Sequence, residues 1–93
     1  MTSKTYTDFF IVLNDRGLHT RPSTELVKCA SSYRSRVTLF FQDRSVNGKS
    51  LLDILMLAAE HGSKITVEAV GIDAEEAVKA LLELANKKFY INY

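Results

Sequence analysis

The chain has 93 residues, 46% of them apolar, and 12 basic against 11 acidic side chains give a net charge of +1. That length suits one domain, 1–93, with a core of limited depth, which favours a surface site or a binding role over a deep, enclosed active site. The even charge balance, with no long like-charge run, excludes the footprint of a nucleic-acid binder, and no stretch approaches the ~18 consecutive apolar residues of a membrane span.

Residues 1–8 lack the basic-then-apolar order of a secretion signal. Residues 9–13 form a short apolar run of strand length, broken by the turn residues Asn14, Asp15, Arg16 and Gly17. From Pro22 the period changes. Leu26, Val27, Ala30 and Tyr33 recur at helical spacing, Pro22 suits a first turn, and Thr20 or Arg21 is expected at or beside the cap. Val37, Leu39 and Phe41 alternate with Thr38, Phe40 and Gln42 as a strand, and a turn at residues 42–44 leads to a short strand through Ser45 and Val46. Ser50 and Asp53 have capping-box spacing at the start of a short helix that ends before Gly62. Ile65, Val67 and Ala69 mark another strand, ended by Gly71. Asp73 and Glu76 have the spacing of a second capping box, ahead of an apolar stripe at Ala74, Ala77, Val78, Leu81, Leu84 and Ala85. The order β-α-β-β-α-β-α predicts an α+β fold of two layers: a four-stranded antiparallel sheet with three helices on one face and a largely wet opposite face. Phe40 is a modest exception if it points to the wet side.

The segment Gly17-Leu18-His19-Thr20-Arg21-Pro22-Ser23 carries the chemistry. It sets an imidazole in a loop just before a helix start, where unpaired backbone N–H groups and the helix dipole favour an anion. The Arg21 guanidinium matches phosphate oxygens. Neutral imidazole is a good nucleophile near neutral pH. Together these suit a phosphorylated histidine on a surface loop that both a donor and an acceptor reach. On these residues alone, a histidine that merely caps the helix remains the plainer alternative.

Gly17-Leu18-His19-Thr20-Arg21-Pro22 resembles the active-site signature of the histidine-containing phosphocarrier family, HPr. Gly48-Lys49-Ser50 resembles that family's regulatory serine site, and Ala69-Val70-Gly71-Ile72-Asp73-Ala74 with Ala77 resembles its last strand-to-helix junction. The likeness extends over residues 9–84. It implies an open-faced β-sandwich and a carrier protein with a phosphohistidine intermediate, rather than a stand-alone enzyme. It implies that enzyme I of the phosphoenolpyruvate-dependent phosphotransferase system, itself phosphorylated from phosphoenolpyruvate, donates to Nδ1 of His19. His19 then passes the group to an enzyme II A domain. Arg21 matches the family's active-site arginine, and Thr20, Pro22 and Ser23 are expected to support the phosphoryl group. No cofactor is implied. Ser23 stands where many members have alanine, and Asp53 where many have glycine or lysine. Residues 89–93 have no assignable counterpart.

Ser50 reads as an N-cap and also as a target for an HPr kinase/phosphorylase, with Asp53 opposing a phosphate there. Leu52 and Leu55 match partner-contacting family positions and are expected to be exposed, with Leu51, Ile54 and Leu57 in the core. Arg16, Lys28 and Lys49 are expected to add positive potential around His19 and to steer an acidic partner. His61 and His19 supply too few ligands for a metal, so none is expected. The lone cysteine, Cys29, reads as a small core residue and fits a reducing cytoplasm. A cytoplasmic monomer is expected. The competing class is a regulatory HPr-like interaction protein, of a nitrogen-type or carbon-control branch, that acts by binding. Residues 52–58 have the flavour of the nitrogen branch, whereas Gly48-Lys49-Ser50 leans toward sugar transport.

Overall fold

The computed structural model describes residues 4–93. The elements follow the order β1 (Lys4–Ile11), α1 (Thr20–Ser31), β2 (Arg36–Phe41), β3 (Arg44–Asn47), α2 (Leu51–Leu57), β4 (Lys64–Gly71) and α3 (Ala74–Asn86), with a last tight turn at Lys88–Tyr90. The sheet has four strands in the order β1-β4-β2-β3, and every neighbouring pair is antiparallel. Layers and topology are those expected from the sequence.

Side chains alternate across a strand, so the register decides which residues share a face. Phe10 lies opposite Ile65, and Val67 and Ala69 lie between β1 residues and the β2 residues Leu39 and Val37. This inner face meets Leu26 and Ala30 of α1, Ile54 of α2, and Ala74, Ala77, Val78, Leu81 and Ala85 of α3 in one buried core. The other face is open. Phe9 and Phe40 both lie opposite Thr66 on it, 47% and 36% exposed, and the Lys64 ammonium sits 4.5 Å from the Phe9 ring centre. The wet face is thus more apolar than expected, and Phe40 has Phe9 for company.

Element ends differ from the sequence reading where long-range pairing decides them. The first strand starts at Lys4 because Thr5, Tyr6 and Thr7 pair along β4; Leu13 falls beyond its end. The first helix starts at Thr20, with His19 as N-cap and Pro22 in the first turn. Ser50 caps α2 as expected, its Oγ accepting from Asp53 N at 3.3 Å. The Asp53 carboxylate does not return the bond and instead approaches Asn47 N. Asp73 does not cap α3 with its side chain. Its carboxylate accepts from Arg34 N and Ser35 N, both at 2.9 Å, and from Ser35 Oγ at 2.5 Å. It therefore ties the start of α3 to the chain leaving α1. These bonds hold its carboxyl well below the usual carboxylate range, at about 2. The other end of α2 is closed by Arg44, whose guanidinium donates to Met56 O and Leu57 O, and Ala58 follows in the left-handed conformation.

Candidate phosphoryl-accepting site at His19

The loop before α1 is held at three points. Gly17 N donates to Asn14 O and Leu18 N to Ala59 O, each at 2.9 Å, and the Leu18 side chain is buried. Gly17 has φ +76°, and a Cβ there would run into the Ala59 carbonyl oxygen, so only glycine lets the loop lie this close to the end of α2. His19 is delivered from this fixed loop to the N-cap position, and its carbonyl accepts from Ser23 N at 3.0 Å.

The His19 side chain makes no capping hydrogen bond. The plain cap alternative therefore does not describe it. The Thr20 and Arg21 amides at the start of α1 precede the first intrahelical donor and are free for an anion. The ring is half-buried. Its Nε2 is buried without a hydrogen-bond partner, and its Nδ1 makes no hydrogen bond to the described residues.

Tyr93 organises the surroundings. Its ring stacks on His19, with centroids 5.3 Å apart and planes 22° apart. The Arg16 guanidinium carbon lies 4.8 Å from the same ring centre and that of Arg21 5.8 Å. Two guanidiniums and the imidazole thus share one aromatic platform. Beside it runs a shallow groove lined by Arg16, Leu18, His19, Leu55, Ala58 and Glu60.

The other expected residues divide. Thr20 and Arg21 are exposed at the helix start. Pro22 is buried and has no N–H, so it shapes the turn only. Ser23 corrects the expectation of phosphate support: it is fully buried, its Oγ donates to Leu18 O at 2.9 Å, and its N–H is spent on His19 O. Its hydroxyl braces the loop. Lys28 lies about 12 Å down α1 from Thr20 at 1.5 Å per residue, and it pairs with Glu25 at 3.5 Å. Lys49 donates to Tyr33 O at 2.8 Å, beyond the opposite end of α1. Of the three expected cations, only Arg16 is brought to His19. Ser50 likewise sits at the end of α2 away from the groove.

Leu52 is 69% exposed, and Ile54 and Leu57 are buried, as expected; Leu55 is half-buried rather than exposed, and Leu51 half-buried rather than core. Met56, 66% exposed, adds to this patch and was not anticipated. Burial pushes the Cys29 thiol up, away from the reactive thiolate. Among the described residues no cluster of three or more His, Cys, Asp or Glu side chains gathers as a metal site, and no helix is long and apolar enough to cross a membrane.

Sequence reasoning missed Tyr93 and the residue that holds it, Asn14. Asn14 is fully buried, and its Nδ2 donates to Lys88 O at 2.9 Å and Tyr93 O at 3.1 Å. A polar residue in a turn gives no local sign that its partners lie at the other end of the chain.

Residues 7–87 match the family described as PTS HPr component phosphorylation site. The chain is 41% identical over 78 residues to the phosphocarrier protein HPr of Neisseria meningitidis serogroup A, which spans 84% of this chain and 88% of that one. Its fold superposes on HPr-C-His from Thermoanaerobacter tengcongensis with a TM-score of 0.90 at 33% identity, covering 95% of this chain and 99% of the other. It also superposes on a structure of the HPr dimer from the same organism, with a TM-score of 0.74 at 37% identity, covering 84% and 90%. With the signature loop, the sheet topology and the likeness all in agreement, the chain belongs to the HPr family of phosphotransferase-system phosphocarriers.

Proposed function

We propose that this protein accepts a phosphoryl group from enzyme I on Nδ1 of His19 and passes it to an enzyme II A domain. The observation that carries this reading is the N-cap histidine that does not cap: an imidazole whose Nδ1 is unbonded, beside free helix-start amides and two guanidiniums. The Nδ1 lone pair forms the N–P bond as the bond from phosphorus to the donor's leaving atom breaks, and that electron pair departs with the donor. Transfer to the acceptor runs the same exchange onward and restores the imidazole. Positioning and charge stabilisation suffice for such a step. The Thr20 and Arg21 amides and the Arg21 and Arg16 guanidiniums are the groups suited to hold the oxygens.

Leu52, Leu55 and Met56, at the groove and around α2, are the apolar surface suited to partner docking. Ser50 is the proposed target of an HPr kinase/phosphorylase, where a phosphate would gain from the start of α2 and lose against Asp53. Incubation with phosphoenolpyruvate and enzyme I should add one acid-labile phosphoryl group, and His19→Ala should take up none. Full uptake by His19→Ala would overturn the assignment. Uptake from ATP and the kinase that persists in Ser50→Ala would remove Ser50 as the target.

A further inference from the structure

The His19 imidazole, the Arg16 guanidinium and the Arg21 guanidinium all meet one side chain, Tyr93, and that side chain comes from the opposite end of the chain. The segment that brings it there is anchored rather than loosely apposed. Phe89 is fully buried and meets Phe10 edge-to-face at 6.0 Å. Asn14 donates to Lys88 O and Tyr93 O from a fully buried position. Lys88, Phe89 and Tyr90 take φ of 55°, 56° and 60°, three left-handed residues in a row that turn the chain back toward the start of α1.

Resting on the phosphocarrier reading, we infer that Tyr93 is a positioning residue for phosphoryl transfer at His19. Its ring fixes the plane of the imidazole and keeps Arg16 and Arg21 beside it while no phosphoryl group is present. Stacking covers a face of the imidazole, whereas the attacking lone pair lies in the ring plane, so the stack orients Nδ1 without blocking it. Two guanidiniums repel each other, and the negative face of an aromatic ring is a place where both are held beside the imidazole. A phosphoryl group on Nδ1 offers them charge-assisted hydrogen bonds, which are stronger than exposed cation–π contacts. The guanidiniums then leave the ring for the phosphoryl oxygens, with only short side-chain movements.

Tyr93→Ala and Tyr93→Phe test this against each other, since both keep Phe89 and the Tyr93 backbone acceptor of Asn14. Two donors are used: enzyme I with phosphoenolpyruvate, and the small molecule phosphoramidate, which needs no docking. Tyr93→Ala should lower the maximal uptake rate from both donors by about threefold to tenfold, the range of a modest loss of orientation, with KM for enzyme I unchanged. Tyr93→Phe should restore it. In nuclear magnetic resonance, the His19 ring protons should carry a ring-current shift in the parent and in Tyr93→Phe that Tyr93→Ala loses. Tyr93 ring signals should move on phosphorylation as the guanidiniums leave. Parental uptake rates in Tyr93→Ala, or slowed uptake with His19 shifts unchanged, would overturn the inference. Failure of the parent to take up phosphate from either donor would instead count against the phosphocarrier reading, and the His19 shifts would still decide whether the stack exists.

Discussion

Replacing Phe89 with alanine should destabilise the protein by about 3 kcal/mol and free the segment that carries Tyr93. Phe89 is wholly buried, and truncating such a phenylalanine costs about 3–5 kcal/mol when the cavity persists. The cavity need not persist here. The three left-handed residues at 88–90 each carry about 1–2 kcal/mol of backbone strain, roughly 3–6 kcal/mol together. Burial of Phe89 is what chiefly offsets that strain. Without it, Ile91, buried but for 7%, contributes about 1.5–3 kcal/mol and the two shorter of the three Asn14 hydrogen bonds about 1 kcal/mol each, which no longer exceeds the strain. The segment should therefore come away and spare the molecule a void, which holds the loss to the lower end of the range. A domain of this size has about 5–14 kcal/mol in all, so Phe89→Ala should remain folded. At about 4–8 °C per kcal/mol the melting temperature should fall by about 12–24 °C. Thermal and urea unfolding followed by circular dichroism measure the loss, and exchange of the Tyr90 and Ile91 amides, bonded to Lys87 O and Lys88 O, reports the detachment. A variant that ends after Lys87 should melt within a few degrees of Phe89→Ala. The reasoning fails if Phe89→Ala melts within about 3 °C of the parent, or if the Tyr90 and Ile91 amides stay protected.

Asp73 should make stability depend on pH in an acid window. Its carboxyl is lowered from 3.8 to about 2 by the bonds from Ser35 and Arg34, so its contribution is fully present above about pH 4 and is lost as pH falls through 2. Asp73→Asn should flatten the urea midpoint against pH between 2 and 4, and an unchanged slope would show that Asp73 does not supply it. Leu52→Ala should leave the melting temperature within about 2 °C of the parent while weakening docking to enzyme I, because the side chain is 69% exposed. Ile54→Ala, from the buried side of the same helix, should lose about 2–5 kcal/mol in urea unfolding. Ala58→Gly should raise stability by about 0.5 kcal/mol, since φ +51° strains alanine more than glycine gains entropy on unfolding. A fall in the urea midpoint would refute that balance.

Local pattern accounts for the parts of the fold that the sequence made legible. Alternation in Val37-Thr38-Leu39 and Ile65-Thr66-Val67 has one reading, because only the sheet's inner face is covered by helices. The stripe on α3 is equally direct, apart from Leu84, which is only half-buried at the helix rim. His19 and Arg21 were legible through the signature they share with a family. What stayed hidden depends on partners far along the chain. Asp73 has the spacing of a helix cap, yet its carboxylate serves backbone donors 38 and 39 residues away, which match its two oxygens better than the helix start does. Lys49 and Lys28 look like members of a basic cluster, but each is held by a nearer acceptor.

Tyr93 is the case in which local reasoning points the wrong way. Lysine, phenylalanine and tyrosine all disfavour the left-handed region, so propensity argues against a turn at 88–90 and gives no reason to bring residue 93 back to residue 19. The turn forms because the sheet and α3 leave a space beside Phe10 that Phe89 fills, and the chain accepts strained backbone to fill it. Asn14 then fixes the direction of exit, since its buried amide needs acceptors and finds them at Lys88 and Tyr93. The ring stacked on His19 is thus positioned by the hydrophobic core, through a phenylalanine four residues before it and an asparagine five residues before the histidine. Core substitutions at Phe10 or Phe89 are therefore expected to change the stacking of Tyr93 on His19, read as loss of its ring-current shift on the His19 ring protons.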